Sequence, residues 1–251
     1  MSYKGINLME PAKTAWLTAG FFDDFIGLDT TQWNTTISDL GTIAEDADGV
    51  NGVVALTASD GTVGDNDEVY LYTNEVSKFL NGKPFLIGAR VQFTEANTDD
   101  ANIIFGMGEG FGAANTLQDN GAGPLADYDG VCFFKVDGGT RWNFESSLGT
   151  TQQTSELDYT AGGSSYCSLI IECYPISATE LVAIPWIDTT GTNAFVQALP
   201  YSSSFNPRRV PVAHRFAYSS PGEMAVCIGV KNGGTNLEVL NVDLCMLQQA
   251  R

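Results

Sequence analysis

The sequence is poor in basic residues and in histidine. Its 251 residues include 12 Lys and Arg against 30 Asp and Glu, so the formal net charge at pH 7 is −18. A surface this acidic repels phosphate groups, which predicts neither nucleic acid nor an anionic membrane as a partner. The one histidine, His214, lies in the segment PVAHRFAY, and no GxSxG motif occurs. A Ser-His-acid triad is therefore not supported, and His214 is expected to be structural.

Paired cysteine motifs and long apolar runs are also missing. The five cysteines include no CxxC pair. Cys167 and Cys173 share one face of a predicted strand but lie ~20 Å apart along it, too far to bridge. The cysteines are therefore expected to be small buried apolar residues in a protein made in a reducing cytoplasm. No basic segment followed by an apolar run marks a signal peptide, and no run approaches the ~18 apolar residues of a membrane span.

What is present is the pattern of an all-β protein. About a dozen short segments rich in Val, Ile, Phe, Tyr and Thr alternate with clusters of Gly, Asn, Asp and Ser, which is typical of strands and turns. In FLIGARVQF the core-facing set is Phe85, Ile87, Ala89, Val91 and Phe93. In LEVLNVDLCM one face is predicted to carry Leu240, Val242, Leu244 and Met246. The prediction is a single antiparallel β-sandwich made of two packed sheets.

The first residues do not follow this pattern. The segment that contains MEPAKTAW has no strand alternation, so residues 1–20 are predicted to be an extended arm and residues 21–251 the sandwich domain. Trp16 and Leu17 favour an arm that docks on a partner over one that stays in solvent.

The adjacent acids Asp23 and Asp24, in FFDDFIGLDTTQW, raise the question of catalysis. Glycoside cleavage needs two carboxyl groups that face one groove ~5 to 10 Å apart. Neighbouring residues of a strand point to opposite faces, and no E-x-D-x-E run occurs in the chain. The sequence therefore predicts no enzyme, and it predicts that these acids mark the entry of the first strand.

Acid-rich turns leave a metal site open as an alternative. Calcium takes carboxylate and carbonyl oxygens from irregular loops, whereas Asp and Asn also favour turns on their own account. None of these turns matches the helix-loop-helix calcium motif, so no metal is predicted. The weak candidates for a calcium site are Asp46, Asp48, Asp65 and Asp67.

Aromatic residues in or near the turns could stack on sugar rings. Tyr128 and Trp186 are the candidates for a glycan contact. Large aromatic residues mostly fill sandwich cores, as the alternation of Trp142 and Phe144 predicts for that pair.

Four stretches of the chain, taken together, resemble one family. FFDDFIGLDTTQW is similar to the opening strand of concanavalin A-like and laminin-G-like jelly rolls, and KPFLIGARVQFTEANTDDANIIFGMGEG is similar to their central strands. DGVCFFKVDGGTRWNFES resembles the next hairpin, and LEVLNVDLCMLQQAR resembles a closing strand. In this order they are similar to a group of virion structural proteins of tailed bacteriophages.

The resemblance implies a capsid decoration, or cement, protein. It would be made in the host cytoplasm and bind the outer head surface, with the major capsid protein as partner and no cofactor. The capsid contacts would be Tyr3, Leu8, Trp16 and Leu17 of the arm, and the protein would form a trimer or dimer. The alternative on the same fold is a lectin-like module that binds host or environmental glycans, with or without calcium.

Overall fold

The computed structural model of the chain describes residues 18–46, 49, 52–59, 62–96, 100–203, 209–218 and 222–251. Within these ranges the chain forms sixteen strands and one short 3₁₀ turn at Asp119–Gly121. The strands are β1 Thr18–Asp23, β2 Trp33–Ile37, β3 Thr42–Glu45, β4 Val54–Thr57, β5 Glu68–Thr73, β6 Phe85–Phe93, β7 Ala101–Gly108, β8 Gly130–Lys135, β9 Arg141–Leu148, β10 Thr151–Thr160, β11 Gly163–Pro175, β12 Glu180–Asp188, β13 Val196–Gln197, β14 His214–Ala217, β15 Ala225–Asn232 and β16 Val239–Ala250. In the described part of the chain, no helix is long and apolar enough to cross a membrane.

The strands form two antiparallel sheets packed face to face, which confirms the predicted all-β sandwich. One sheet has seven strands in the order β10-β9-β8-β7-β15-β5-β2. The other has nine, in the order β13-β12-β11-β6-β16-β4-β3, with β1 paired to β16 and β14 paired to β12. Neighbouring strands in each sheet are mostly distant in the sequence, so the hydrophobic pattern and not local hairpins must set the register.

The core lies between the two sheets and follows the alternation of the strands. All five residues predicted to face inward from β6 are buried there. From the seven-stranded sheet, Trp142 and Phe144 of β9 point into the same core and are fully buried, as predicted. The remaining residues of these strands point outward, where a different set of neighbours covers them.

The predicted face of the last strand is wrong beyond its midpoint. Leu240 and Val242 are buried in the core as expected, but the next residues that face the core are Cys245 and Leu247. A β-bulge between Val242 and Leu244 adds one residue opposite β6 and reverses the alternation. Leu244 and Met246 therefore share the outward side of the sheet.

The sheet begins earlier than the sequence indicates. Strand β1 pairs with β16 from Thr18 opposite Ala250 to Asp23 opposite Cys245. The last three residues of the predicted arm, 18–20, therefore belong to the sandwich. Residues 1–17, with the predicted capsid contacts Tyr3, Leu8, Trp16 and Leu17, lie outside the described residues.

All five cysteines have free thiols, as their spacing predicts. Cys132, Cys173, Cys227 and Cys245 are buried, and Cys167 is half-buried beside the core. Burial raises the pKa of the Cys167 thiol to about 12. These side chains are therefore apolar packing groups at neutral pH.

Candidate functional site

The paired acids of the first strand do not form a site. Asp23 accepts hydrogen bonds from the backbone N–H of Phe25 and from the indole N–H of Trp33. Asp24 lies beyond the end of β1, in the turn that follows. As predicted, the two carboxyl groups do not converge, and Asp23 is a structural acceptor.

The outer face of the seven-stranded sheet is covered. Residues 109–129, which connect β7 to β8 and are called the covering segment, place Phe111, Leu117 and Tyr128 on this face. They pack against outward-pointing residues of the strands, among them Tyr70 of β5 and Phe134 of β8. This second apolar cluster closes the centre of the face to ligands.

A buried lysine fastens one end of the covering segment to the sheet. Lys231 of β15 donates hydrogen bonds from Nζ to Glu68 Oε2 at 3.1 Å and to Asp119 Oδ1 at 2.6 Å. The same ammonium group donates to Asn115 Oδ1 and to the carbonyl oxygen of Leu117. An ammonium group surrounded by four acceptors of the segment and the sheet holds the cover in one position.

Tyr128 is part of this cover and does not offer an open platform for a sugar. Its ring is 2% exposed and packs on Phe111 with ring centroids 4.8 Å apart. Its hydroxyl donates to Glu145 Oε1 at 2.9 Å, and Thr154 donates to the other oxygen of Glu145. Burial raises the pKa of Glu145. No local sequence pattern predicts this burial, because the cover depends on a long irregular connection.

One edge of the same face remains open. Since Trp142 and Phe144 point into the core, Arg141 and Asn143 of β9 point outward. In the adjacent strand, Glu156 lies directly opposite Asn143, and its carbonyl oxygen accepts a hydrogen bond of 2.8 Å from the backbone N–H of Tyr201. We call this group the rim site; it comprises Arg141, Asn143, Glu156, Asp158, Tyr201 and Arg209.

The aromatic ring of the rim site is held in place by charged neighbours. The guanidinium carbon of Arg141 lies 3.9 Å from the centroid of the Tyr201 ring, a cation–π contact. Arg141 Nη1 also donates to Asp158 Oδ1 at 3.3 Å, and Arg209 pairs with the other oxygen of Asp158. Tyr201 is 38% exposed. The ring is thus fixed on one side and accessible on another.

The polar groups beside this ring have unused hydrogen-bonding capacity. Within the described residues, the side-chain amide of Asn143 makes no hydrogen bond. Among the described residues, the carboxylate of Glu156 has one charged partner, Arg141 at 3.8 Å, and its side chain is 52% exposed. Sequence reasoning missed the rim site, because Tyr201 lies in a turn-like YSSS segment and its pairing with β10 leaves no pattern.

Trp186, the second predicted sugar contact, lies on the opposite side of the molecule. Its strand, β12, belongs to the nine-stranded sheet, and the residue is half-buried. Its indole N–H donates to Glu172 Oε2 at 2.9 Å. Tyr128 and Trp186 therefore do not belong to one site.

The single histidine is a buried structural residue, as predicted. The two ring nitrogens of His214 contact the hydroxyl groups of Ser146 and Ser155, each at 3.0 Å. Its ring packs on Phe144. Burial lowers the pKa of His214 to about 4, so the imidazole is neutral at physiological pH.

The predicted weak metal candidates are not brought together. Within the described ranges, no three His, Cys, Asp or Glu side chains form a group able to hold a metal ion. Asp67 accepts a hydrogen bond from the backbone N–H of Gly64 and so closes its own turn. Asp46 and Asp65 lie in separate turns, and Asp48 is outside the described residues. The absence of a metal stays a prediction, and Asp48 stays a weak candidate for a calcium site.

Comparisons of the sequence reveal no relatives. No protein-family model matches the chain, and no curated protein matches it.

Comparison of the fold is more informative. The chain is similar to lectin UEA-II complexed with galactose, with a TM-score of 0.56, 10% identity and coverage of 92% of this chain and 98% of that one. It is similar to the metal-free carbohydrate recognition domain of Emp46p, with a TM-score of 0.52, 11% identity and coverage of 86% and 88%. It is also similar to endo-1,3-beta-glucanase from Streptomyces sioyaensis, with a TM-score of 0.55, 11% identity and coverage of 92% and 96%. The fold is thus a concanavalin A-like sandwich, as predicted, and identities this low show the fold alone.

Proposed function

We propose that the protein is a carbohydrate-binding module that binds a neutral sugar at the rim site. The fold is one that a lectin and a carbohydrate recognition domain also use. Because a shared fold does not determine function, the proposal depends on the chemistry of the rim site.

The observation that carries the proposal is the combination of a fixed, accessible tyrosine ring with free planar polar groups. A sugar ring packs its C–H groups on an aromatic face and directs its hydroxyl groups at amides and carboxylates. Tyr201 supplies the face, and Asn143 and Glu156 supply the donors and acceptors in the same row of the sheet. The contact with Arg141 orders the ring before binding, which lowers the entropic cost of the complex.

The charge of the protein favours a neutral ligand over an acidic one. The two arginines of the rim site face two carboxylates, Glu156 and Asp158, so the site has no excess of positive charge. The whole chain has a net charge of −18, which repels uronates and sulfated sugars.

Binding without cleavage fits the carboxyl groups of this face. Glu145 is almost completely buried, and both of its oxygens already accept hydrogen bonds from Tyr128 and Thr154. Asp158 is paired with two arginines, so Glu156 alone keeps a free carboxylate at the rim site, whereas glycoside cleavage needs two carboxyl groups that face the substrate. We therefore propose a binding protein and not a glycosidase.

The test uses a printed array of neutral and acidic oligosaccharides, followed by calorimetric titration of the best ligand. Tyr201→Ala should weaken binding about tenfold, because a stacking ring contributes on the order of 1.4 kcal/mol. The matched control is Tyr174→Ala, since Tyr174 is also 38% exposed but lies on the nine-stranded sheet. Equal losses in the two variants, or no binding to any neutral glycan, would refute the proposal.

Capsid decoration stays a prediction from the sequence. Its proposed contacts in residues 1–17 lie outside the described part of the chain, and no contact or surface within that part favours a capsid partner over a glycan. Co-sedimentation with empty capsids, run beside the array, would test it.

A further inference from the structure

A second open site lies at the other edge of the seven-stranded sheet. A cavity of about 440 Å³ opens between β1 and the turn that precedes β2, beside the end of β5. Its size falls within the ~300 to 1,000 Å³ of small-molecule sites. We call it the edge groove; its lining includes Gly20, Phe21, Asp29, Gln32, Asn74 and Val76.

Apolar side chains form part of the groove surface. Phe21 packs against the core from β1, and Leu247 lies opposite it on β16. Val76, on the connection after β5, is 54% exposed. These groups give a ligand an apolar surface to cover.

Some polar side chains of the groove are fully used by the protein. Thr73 donates to the carbonyl oxygen of Asn74 and accepts from the backbone N–H of Val226. The amide of Gln249 accepts from Ser77 and donates to the carbonyl oxygen of Lys78. These bonds fix the walls of the groove.

Other polar side chains retain free capacity. Gln32 makes no side-chain hydrogen bond with any described residue. Asn74 accepts from Asn34 through Oδ1 at 3.0 Å, which leaves both hydrogens of its amide nitrogen. Asp29 accepts from the N–H and hydroxyl of Thr31 through Oδ1 alone, which leaves Oδ2. One carboxylate oxygen and two amides thus surround the apolar surface.

The backbone of β1 adds one more donor and acceptor. Ala250 of β16 donates its N–H to the carbonyl oxygen of Pro84, on the side away from β1. Because backbone N–H and C=O groups alternate in direction along a strand, those of Gln249 and Leu247 point toward β1. Their partners Ala19 and Phe21 therefore bond to β16, and the N–H and C=O of Gly20 point to the groove. These two backbone groups add a donor and an acceptor for the hydroxyl groups of a polyol.

We propose that the edge groove is a second binding site for a neutral sugar residue, independent of the rim site. The choice of sugar as ligand class rests on the proposed function. The two sites lie at opposite edges of the seven-stranded sheet, and six strand spacings of ~4.8 Å place them about 29 Å apart. One molecule can therefore hold two segments of a polysaccharide, which increases avidity without new contacts.

The experiment monitors side-chain amide signals in nitrogen–proton correlation spectra of the full chain. The probes are methyl α-mannoside, methyl β-galactoside and methyl β-glucoside, each titrated into the Tyr201→Ala variant, which lacks the ring of the rim site. We expect one of them to shift the signals of Gln32 and Asn74 saturably. The double substitution Gln32→Ala and Asn74→Ala, in which binding is followed by the backbone amide signals of Thr31 and Thr73, should weaken this binding at least about tenfold. The control Gln153→Ala, which removes an exposed glutamine of β10, should leave it unchanged.

The outcomes separate the groove from the rim site. If the Asn143 signal of the wild-type chain responds while Gln32 and Asn74 do not, the groove proposal is overturned and the proposed function stands. If Gln32 and Asn74 respond and Asn143 does not, the rim site is wrong and the groove is supported. No response at either site overturns both. A groove that responds to a short unstructured peptide and to no methyl hexoside is a peptide site, which also overturns the inference.

Discussion

The indole nitrogen of Trp33 donates a hydrogen bond of 2.6 Å to Oδ2 of Asp23. The same carboxylate accepts from the backbone N–H of Phe25 through its other oxygen at 2.8 Å. Phe21 and Phe25 pack on the Trp33 ring with centroids 5.4 and 5.7 Å away. One acidic side chain therefore joins the first strand, the turn after it and the first strand of the other sheet.

Substitution of the two neighbouring acids should separate their roles. Asp23→Ala leaves the N–H of Trp33, a residue only 3% exposed, without an acceptor, and should lower the free energy of unfolding by about 2 to 3 kcal/mol. Asp24→Ala removes a carboxylate with no hydrogen bond to the described residues. It should change the free energy of unfolding by less than about 0.5 kcal/mol. Urea unfolding followed by tryptophan fluorescence measures both. Equal effects would contradict the structural role of Asp23.

The turn after β1 depends on a glycine from a distant segment. A Cβ on Gly52 would lie 2.2 Å from the carbonyl oxygen of Asp24 and 2.5 Å from the nitrogen of Ile26, and its φ is +85°. Gly52→Ala should destabilise the fold by about 3 kcal/mol or more, since backbone strain adds to the clash.

The matched control for Gly52 isolates the backbone contribution. Gly138 has a φ of +72° but nothing within 4 Å of an added Cβ. Gly138→Ala should therefore lower the free energy of unfolding by only about 1 to 2 kcal/mol, because only the left-handed backbone conformation opposes it. Thermal unfolding of the two variants compares them, and a Gly52→Ala loss no larger than that of Gly138→Ala would be inconsistent with the clash.

The ammonium group of Lys231 should be essential to the covering segment. Lys231→Met leaves Glu68 buried without its positive partner and should cost about 3 to 5 kcal/mol. The exposed pair of Arg215 and Glu180 is the control, and Arg215→Met should lower the free energy of unfolding far less than Lys231→Met does. Denaturation in guanidinium chloride measures both, and hydrogen exchange should show faster opening at residues 109–129. A small effect of Lys231→Met would exclude it as the fastening group.

Glu238 should make stability depend on pH between about 4.5 and 7. Burial raises the pKa of its carboxyl group from 4.5 to about 7, with Glu95 nearby as a further negative charge. The folded state therefore holds a proton between pH 4.5 and 7 that the unfolded state lacks. The stability that this proton contributes is fully present below pH 4.5 and is lost as the pH rises through 7.

Because of this site, the free energy of unfolding should fall by about 2 kcal/mol between pH 5 and pH 8. Glu238→Gln cannot ionise, so the variant should lack that decline. Glu180→Gln, at an exposed carboxyl group whose pKa is lowered by Arg215, should retain it. Urea midpoints at the two pH values test this, and identical pH profiles for wild type and Glu238→Gln would contradict it.

Where local pattern and packing agree, the sequence predicts the structure well. FLIGARVQF coincides with β6, because its alternating apolar residues face the core. Strand β10 was not predicted, because TQQTSELDYT is an edge strand with exposed polar residues. Its pairing with β9 creates it, and pairing leaves no signal in composition.

The rim site was not predicted either, because it too depends on long-range pairing that leaves no signal in composition. Tyr201 reaches Arg141 only because residues 199–201 lie along the edge of β10. Tyr128, in contrast, was a candidate because it lies in an acidic turn, but the covering segment buries it. Long-range connections thus decided which aromatic ring stays accessible.

The bulge in β16 determines how the last strand responds to the deletion of residues. Deleting Asp243, the single residue between Val242 and Leu244, would remove the bulge and leave Leu244 opposite Arg90, so Cys245 and Leu247 would still face the core. Deleting both Asp243 and Leu244 would turn Met246 inward and send Cys245 and Leu247 outward. The C-terminal strand should therefore tolerate the loss of one residue at the bulge but not of two, although its composition gives no hint of this difference.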